Sequence, residues 1–122
     1  MPLRPVELRP DISISHLQGA PGATSLSTTL RCLTRLEALV LRENAFGPEG
    51  TSAICDGLEP LTGLEILDLG FSRAGRKGAL ALASRVRWLT ALKKLKFESN
   101  AMGQDAETQM QNAVADTCEK QF

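Results

Sequence analysis

The chain has 122 residues, a hydrophobic fraction of 43%, and equal numbers of acidic and basic residues, so its formal net charge is zero. This length predicts a single domain, and the balanced charge gives no global indication of a nucleic-acid or membrane-surface partner. No run of about eighteen apolar residues occurs, so the sequence predicts no transmembrane helix.

The N-terminal segment, residues 1–10, contains three prolines and lacks the apolar stretch of a secretory signal. Because proline fixes φ and disfavours helix at the preceding residue, the segment is predicted to be an extended arm. In residues 11–32, Ile12 and Ile14 alternate with serines, one residue out of step with the later strand pattern. Residues 11–32 are therefore predicted to be a degenerate repeat that caps the N-terminal end.

From Leu33 onward, one pattern occurs three times, over residues 33–60, 61–88 and 89–116. Each copy is twenty-eight residues long and begins with apolar residues at offsets 0, 3, 6 and 8. The last two alternate with one exposed position, which indicates a short strand that pairs with the strand of the next copy in a parallel ladder. The buried strand positions are Leu39 and Leu41, Leu67 and Leu69, and Leu95 and Phe97.

Beyond each strand, a small polar residue is followed by a glycine and then by a helical pattern. The polar residues are Asn44, Ser72 and Asn100, and the glycines are Gly47, Gly75 and Gly103. An amide side chain at this turn can satisfy backbone groups, and serine does so less fully, so the middle repeat is predicted to be the weakest. The glycines suit a turn with positive φ.

The helix of the last repeat is predicted to extend over roughly residues 104–120 and to cap the C-terminal end. Its apolar residues form a single stripe and polar residues cover the rest, as expected of a helix with a neighbour on one side. Residues 117–122 are assigned as a C-terminal tail. Trp88, at the end of the middle helical pattern, is predicted to pack in the core between repeats, and an interface anchor is the second interpretation.

The pattern L-x-x-L-x-x-L-x-L-x-x-N-x-F-G, followed by an amphipathic helix and returning after twenty-eight residues, resembles the leucine-rich repeat. It is most similar to the ribonuclease-inhibitor-like class, and the resemblance covers about residues 33–116. It implies a short α/β solenoid with parallel strands on the concave face and α-helices on the convex face. It also implies binding of macromolecules, usually through the concave face, without indicating a particular activity.

The positions between the buried strand residues are predicted to form columns across the concave face. The candidate partner-binding residues are Ala38, Val40, Arg42, Glu43, Ile66, Asp68, Phe71, Lys94, Lys96 and Glu98. Val40, Ile66 and Phe71 give this face an apolar cluster rimmed by charges, which is typical of a protein contact surface. The alternatives are scattered surface apolar residues of no significance, or coverage of the cluster by the N-terminal arm.

Charge is segregated along the repeats, because no acidic residue lies between Asp68 and Glu98 whereas the preceding repeat is acidic. The basic residues of this window are Arg73, Arg76, Lys77, Arg85, Arg87, Lys93, Lys94 and Lys96. They predict either an anion or RNA site, or complementary stripes that align neighbouring repeats or dock an acidic protein. Aromatic residues for base stacking are nearly absent from the window, which disfavours nucleic acid.

No set of residues suggests catalysis, a metal site or a cofactor site. His16 is the only histidine, and no carboxylate pair or serine–histidine set with useful spacing lies near it. Cys32, Cys55 and Cys118 lack metal-ligand spacing and are odd in number, which is typical of a reducing intracellular compartment, with the cytoplasm as the first expectation.

The sequence therefore predicts a non-catalytic protein-interaction module or scaffold that binds a protein through the concave strand face. A first alternative is a structural subunit of a large multiprotein assembly. A second alternative is an anion or RNA binder that uses the basic middle repeat.

Overall fold

A computed structural model describes residues 11–13 and 19–122, in which strands and helices alternate along the chain. The strands are β1 (Asp11–Ser13), β2 (Ala38–Val40), β3 (Ile66–Asp68), β4 (Lys94–Lys96) and β5 (Glu119–Gln121). The helices are α1 (Gly19–Leu30), α2 (Gly47–Gly57), α3 (Gly75–Val86) and α4 (Gly103–Ala113). The predicted arm over residues 1–10 and the lone His16 lie outside the described residues.

The five strands form one parallel sheet whose order follows the chain, β1-β2-β3-β4-β5. Leu39, Leu67 and Leu95 stand opposite one another at the centres of β2, β3 and β4, and all three are fully buried. Ile12 stands opposite Leu39, which confirms the predicted one-residue shift of the first strand. Two parallel strands must be joined by a crossover connection. One helix forms this connection between each strand and the next, from β1 to β5. The predicted α/β class with a parallel sheet is confirmed.

The helices pack in chain order, α1 on α2, α2 on α3 and α3 on α4, and their apolar faces cover the sheet side chains. The predicted helix-face residues Ile54, Leu82 and Met110 are each fully buried. Burial of a leucine or isoleucine side chain contributes about 1.5–3 kcal/mol. A continuous layer of such residues therefore stabilises units that have only three-residue strands.

Two glycines let neighbouring helices approach closely. A Cβ at Gly78 of α3 would lie 3.1 Å from Cβ of Thr51 in α2 and 2.7 Å from Cβ of Ala74. A Cβ at Gly57 of α2 would lie 2.9 Å from the backbone oxygen of Ser27 in α1. The distances to Ala74 and to Ser27 are shorter than a carbon atom tolerates, and the distance to Thr51 is tighter than an ordinary contact, so neither position has room for a methyl group without a shift of its neighbours.

The turns between strands and helices contain the predicted glycines with positive φ. These φ values are 76° at Gly47, 64° at Gly75 and 81° at Gly103, which confirms the prediction. The amide of Gly47 donates to the carbonyl of Ser72 in the next repeat, and that of Gly75 donates to Asn100. Each of these two helices therefore has an N-terminal amide satisfied by the neighbouring repeat, and neither has a side-chain cap from its own N-cap residue.

The Asn100 side chain joins the second and third repeats through both ends of its amide. Its Nδ2 donates to the carbonyls of Leu69 (2.9 Å) and Phe97 (3.0 Å). Its Oδ1 accepts from the amides of Ser72 (2.8 Å) and Ala74 (3.2 Å). In the middle repeat, the Ser72 hydroxyl donates to the Leu69 carbonyl of its own turn. The predicted weakness of this repeat stays a prediction.

The C-terminal end differs from its prediction. Helix α4 ends at Ala113, because Val114 has an extended backbone (φ −99°, ψ 138°). Residues 119–121, predicted as helix end and tail, form β5, which pairs with β4 and places Lys120 opposite Leu95. Pairing with β4 satisfies backbone groups that a longer helix would leave unpaired beside the sheet edge, so the prediction of a helix to residue 120 was wrong.

The prediction that Trp88 packs in the core was also wrong, because 64% of its surface is exposed. It lies after α3, where the Trp88 amide donates to the Arg85 carbonyl in a turn. The next residue, Leu89, fills the buried position instead.

Among the described residues, no helix combines the length and the apolar character needed to cross a membrane.

Replacement of Gly78 by alanine is expected to destabilise the protein by about 1–3 kcal/mol, because the added methyl group overlaps Ala74 and Thr51. Intrinsic helix propensity alone would favour alanine by about 1 kcal/mol, so the sign of the change tests the helix spacing. Gly63→Ala is the matched control, since nothing lies within 4 Å of a Cβ there. Urea denaturation of both variants measures the change, and a stabilised Gly78→Ala protein contradicts the close approach.

Asn100→Ala is expected to lower the free energy of unfolding by about 3 kcal/mol, because it leaves buried amides and carbonyls of two repeats unpaired. Asn112→Ala, an exposed position on α4, serves as the control and should change stability by less than about 0.5 kcal/mol. Equal effects of the two changes, measured by denaturant titration, would refute the bridging role of Asn100.

Candidate functional site

The strand face brings together most of the predicted partner-binding residues, and these residues differ in how exposed their side chains are. Glu43 and Phe71 are exposed. Six residues are half-buried, namely Val40, Arg42, Ile66, Lys94, Lys96 and Glu98. The remaining two, Ala38 and Asp68, are only 6% and 5% exposed. The prediction that all ten face solvent is therefore wrong for Ala38 and Asp68.

Local contacts explain the burial of these two residues. Ala38 has a short side chain and stands opposite the larger Ile66 in the sheet register. Asp68 lies beneath the Arg42 side chain and also accepts a hydrogen bond from the Gly70 amide at 3.0 Å. The Arg42 guanidinium and the Gly70 amide hold this carboxylate in place, so Asp68 supports the surface from below.

Arg42 is the central residue of the strand face and bridges two carboxylates. Its Nη1 donates to Oδ2 of Asp68 at 2.8 Å and to Oδ1 at 3.1 Å. Its Nη2 lies 2.9 Å from Oε1 of Glu98, a charge contact without good hydrogen-bond alignment. The pKa of Arg42 is raised, chiefly by the hydrogen bond to Asp68. With two anionic partners, the guanidinium is held in one position.

The absence of a side chain at Gly70 allows Arg42 to reach Glu98. Arg42, Gly70 and Glu98 occupy the same position in three successive repeats. A Cβ at Gly70 would lie 3.2 Å from Oε1 of Glu98 and 3.3 Å from Nη1 of Arg42. Arg42 therefore extends across the middle repeat to a carboxylate two strands away. The sequence columns contained these residues, but the span itself was not predicted.

Phe71 is the residue after Gly70. Phe71 and Trp88 are the two large apolar residues that are exposed in the described part of the chain. The Phe71 ring is 43% exposed, and the Arg42 guanidinium carbon lies 5.2 Å from the ring centroid. Its φ is 56°, a left-handed conformation that is strained for a bulky residue. Glu43 and Ser99, at the same position in the flanking repeats, share this conformation with φ of 64° and 58°.

A shallow depression adjoins the Phe71 ring at the end of the strands. It is lined by Glu43, Ala45, Phe71, Arg73 and Ser99. Val40 and Ile66, which were predicted to form one apolar cluster with Phe71, are half-buried on the strands and do not line it. We call these five lining residues the Phe71 depression.

Three basic side chains of the middle repeat, and Lys93 at the start of the third, form ion pairs with neighbouring repeats. Lys77 pairs with Glu49, Arg85 with Asp56 at 3.0 Å, Lys93 with Glu65 at 3.5 Å, and Arg76 with Asp105 at 2.8 Å. Hydrogen bonding to Arg76 lowers the pKa of Asp105. Each such exposed pair contributes little to stability, about 0–1 kcal/mol. The two residues of each pair are twenty-eight or twenty-nine positions apart in the chain. This spacing favours the interpretation that the charges align neighbouring repeats over the interpretation that they form an open basic patch.

The three cysteines have different environments, and none pairs with another. Cys32 is exposed. Cys55 is fully buried, and burial raises the pKa of its thiol to about 12. Burial also raises the pKa of Cys118. Across residues 11–13 and 19–122, no group of three or more histidine, cysteine, aspartate or glutamate side chains could hold a metal ion.

The chain matches no protein-family model, and no curated protein is similar to it.

The buried thiol gives a prediction for stability at alkaline pH. The pKa of Cys55 is about 12 in the folded protein against an ordinary 9.0, so above about pH 9 the unfolded chain releases this proton while the folded protein retains it. The contribution of Cys55 to the free energy of unfolding should therefore be constant below pH 9 and fall between pH 9 and 12. Cys55→Ala should lack this part of the decline.

Denaturant titrations of both proteins from pH 8 to pH 11 measure the difference, and parallel curves would contradict it.

In the folded protein at neutral pH, an alkylating reagent should modify Cys32 well before Cys55.

Proposed function

We propose that this chain is a leucine-rich-repeat-like solenoid that acts as a non-catalytic protein-interaction module and binds a protein through its strand face. Three copies of one pattern in fixed register, with parallel strands paired in chain order, support the solenoid interpretation. Its short parallel sheet and exposed strand-end loops provide a wide, shallow surface. Such a surface suits a macromolecule better than a small ligand, which needs a deep pocket.

The observation that carries the proposal is the exposed, fixed ring of Phe71. An aromatic residue that remains exposed over a guanidinium is a typical interface anchor, because it offers a large apolar contact area. Arg42 contacts the ring and is itself held by Asp68 and Glu98. This arrangement lowers the entropy that would be lost when a partner orders the surface.

The backbone of Phe71 supports the same conclusion. A left-handed φ costs a bulky residue about 1–3 kcal/mol, and glycine would fit this position without strain. Phe71 therefore lowers local stability and leaves an apolar ring in water. A contact with a partner would offset both costs.

A structural subunit of a multiprotein assembly is the second candidate, and the exposure of Trp88 favours it. Trp88 follows α3, whereas Phe71 follows strand β3, so the two exposed aromatic residues lie at opposite ends of the helix. Two separate anchors suit a chain with more than one neighbour. Both candidates fit an intracellular reducing compartment, because the three free thiols include an exposed one.

Anion or RNA binding through the basic middle repeat is the least supported candidate. Lys77, Arg85 and Lys93 already have carboxylate partners, and a phosphate would have to displace them. Phe71 is the single exposed aromatic ring beside the strand face among the described residues. One ring and a carboxylate neighbour do not form the stacking platform that single-stranded nucleic acids require.

Replacement of Phe71 by glycine tests the proposed surface. We expect Phe71→Gly to abolish partner binding, while stability stays within about 1 kcal/mol of the wild type or rises, because the left-handed strain is removed. Ala101→Gly relaxes another left-handed position (φ 51°) in the loop of the next repeat, outside the Phe71 depression, and is the matched control. It should leave binding intact.

A photo-crosslinking amino acid at Ala45, within the Phe71 depression, reports binding in an extract of the native source. Adducts that form with the wild type and with Ala101→Gly, but not with Phe71→Gly, support the proposal. Adducts that are unaffected by Phe71→Gly, or a complete lack of specific adducts, contradict it.

A further inference from the structure

We propose that Glu43 and Arg73 set the sequence specificity of the Phe71 depression. The occupant is an extended peptide segment of a partner protein, with an apolar residue against Phe71, an acidic residue facing Arg73 and a basic residue facing Glu43. This inference rests on the proposed function. It adds the chemistry and the orientation of the partner.

The first support is the lack of ion pairs at these two residues. Arg76, Lys77 and Arg85, in the helix after this loop, each contact a carboxylate of a neighbouring repeat. Arg73 and Glu43, by contrast, form no ion pair or side-chain hydrogen bond with the part of the chain that the structure describes. Both are exposed and both line the Phe71 depression.

The second support is that the two charges line the same depression without pairing with each other. Glu43 occupies the position of Phe71 in the preceding repeat, and Arg73 follows Phe71 by two residues in the same loop. The φ values are 64° at Glu43 and 56° at Arg73, so both side chains leave from left-handed turn positions. The remaining lining residues, Ala45 and Ser99, carry no charge. The depression is therefore apolar at Phe71, acidic at one place and basic at another.

The ladder contacts of these loops keep the charges in place. The amide of Glu43 donates to the carbonyl of Gly70 at 2.9 Å, and the amide of Phe71 donates to that of Glu98 at 2.9 Å. The loops of adjacent repeats are thus bonded to each other through the backbone. The amides on either side of Arg73, those of Ser72 and Ala74, are bonded to Asn100, so the backbone positions of Glu43, Phe71 and Arg73 relative to one another are set by the fold.

A peptide with complementary charges matches this rim better than the other occupants do. A carboxylate can accept two parallel hydrogen bonds from the Arg73 guanidinium, whereas Glu43 repels a phosphate backbone. Exposed rim charges mainly determine orientation and discriminate between partners, while the apolar contact supplies most of the affinity. Phe71 is therefore expected to determine whether a peptide binds, and the two charges to determine which peptide binds.

Selection from a displayed library of short random peptides tests the inference with a defined probe. The targets are the wild type, Arg73→Glu, Glu43→Arg, Phe71→Gly and the control Arg87→Glu, an exposed cation after α3 without a carboxylate partner among the described residues. Circular dichroism verifies that each variant is folded. Peptides selected on the wild type should contain an apolar residue with acidic and basic neighbours and should not bind Phe71→Gly.

The charges of the selected peptides should follow the variants. Arg73→Glu should replace the acidic preference by a basic one, Glu43→Arg should replace the basic preference by an acidic one, and Arg87→Glu should change neither. For one synthesised peptide, exchange of its acidic residue for lysine should weaken binding to the wild type about tenfold and restore binding to Arg73→Glu.

The two possible failures are distinct. If no selected peptide depends on Phe71, the proposed function is contradicted and this inference falls with it. If peptides depend on Phe71 but keep the same charges on Arg73→Glu and Glu43→Arg, the inference is overturned and the proposed function stands.

Discussion

The structure depends on hydrogen bonds that run from one repeat to the next at the ends of its short strands. Each strand has three residues, too few to hold a sheet without support. At this point the Asn100 amide accepts from two backbone amides of the second repeat and donates to a carbonyl on each side. One of these amides belongs to Ala74, the N-cap residue of α3, so one side chain fixes the register of the sheet and the start of the helix together. Loops bonded in this way hold their side chains rigidly, and the Phe71 depression is built on them.

The charged residues follow the same principle of contact between neighbouring repeats. Basic side chains of one repeat meet acidic side chains about twenty-eight residues away, as Arg85 meets Asp56. Each pair is weak, but a shifted register would break these contacts, so together the pairs favour the observed alignment. Arg73 and Glu43 do not take part in this pattern. The depression beside Phe71 therefore carries one acidic and one basic side chain that no ion pair with the described residues occupies.

The sequence predicted those parts of the structure in which the same side-chain environment recurs. Leu39, Leu67 and Leu95 occupy equivalent buried positions, so periodicity located the strands, and the glycine before each helix located the turn. β5 could not be found in this way, because the residues Glu-Lys-Gln lack apolar alternation and their pairing is determined by the edge of β4. The burial of Asp68 was likewise missed, since it depends on an arginine twenty-six residues earlier in the chain. In the candidate site, residue types could be assigned to columns, but the conformation of a long side chain above a glycine could not.

The reach of Arg42 has a consequence for how the molecule comes apart. Each helix packs mainly on the helix before and after it in the chain, and a stack of this kind would ordinarily open one unit at a time from its ends. Arg42 adds a coupling between the first repeat and the third, because its partners are Asp68 on the adjacent strand and Glu98 on the strand beyond. If the first or the third repeat unfolds, the other one therefore loses its contact between Arg42 and Glu98. This second-neighbour link favours a single cooperative transition for the three repeats, with the Phe71 ring retained at its centre until all three are lost together.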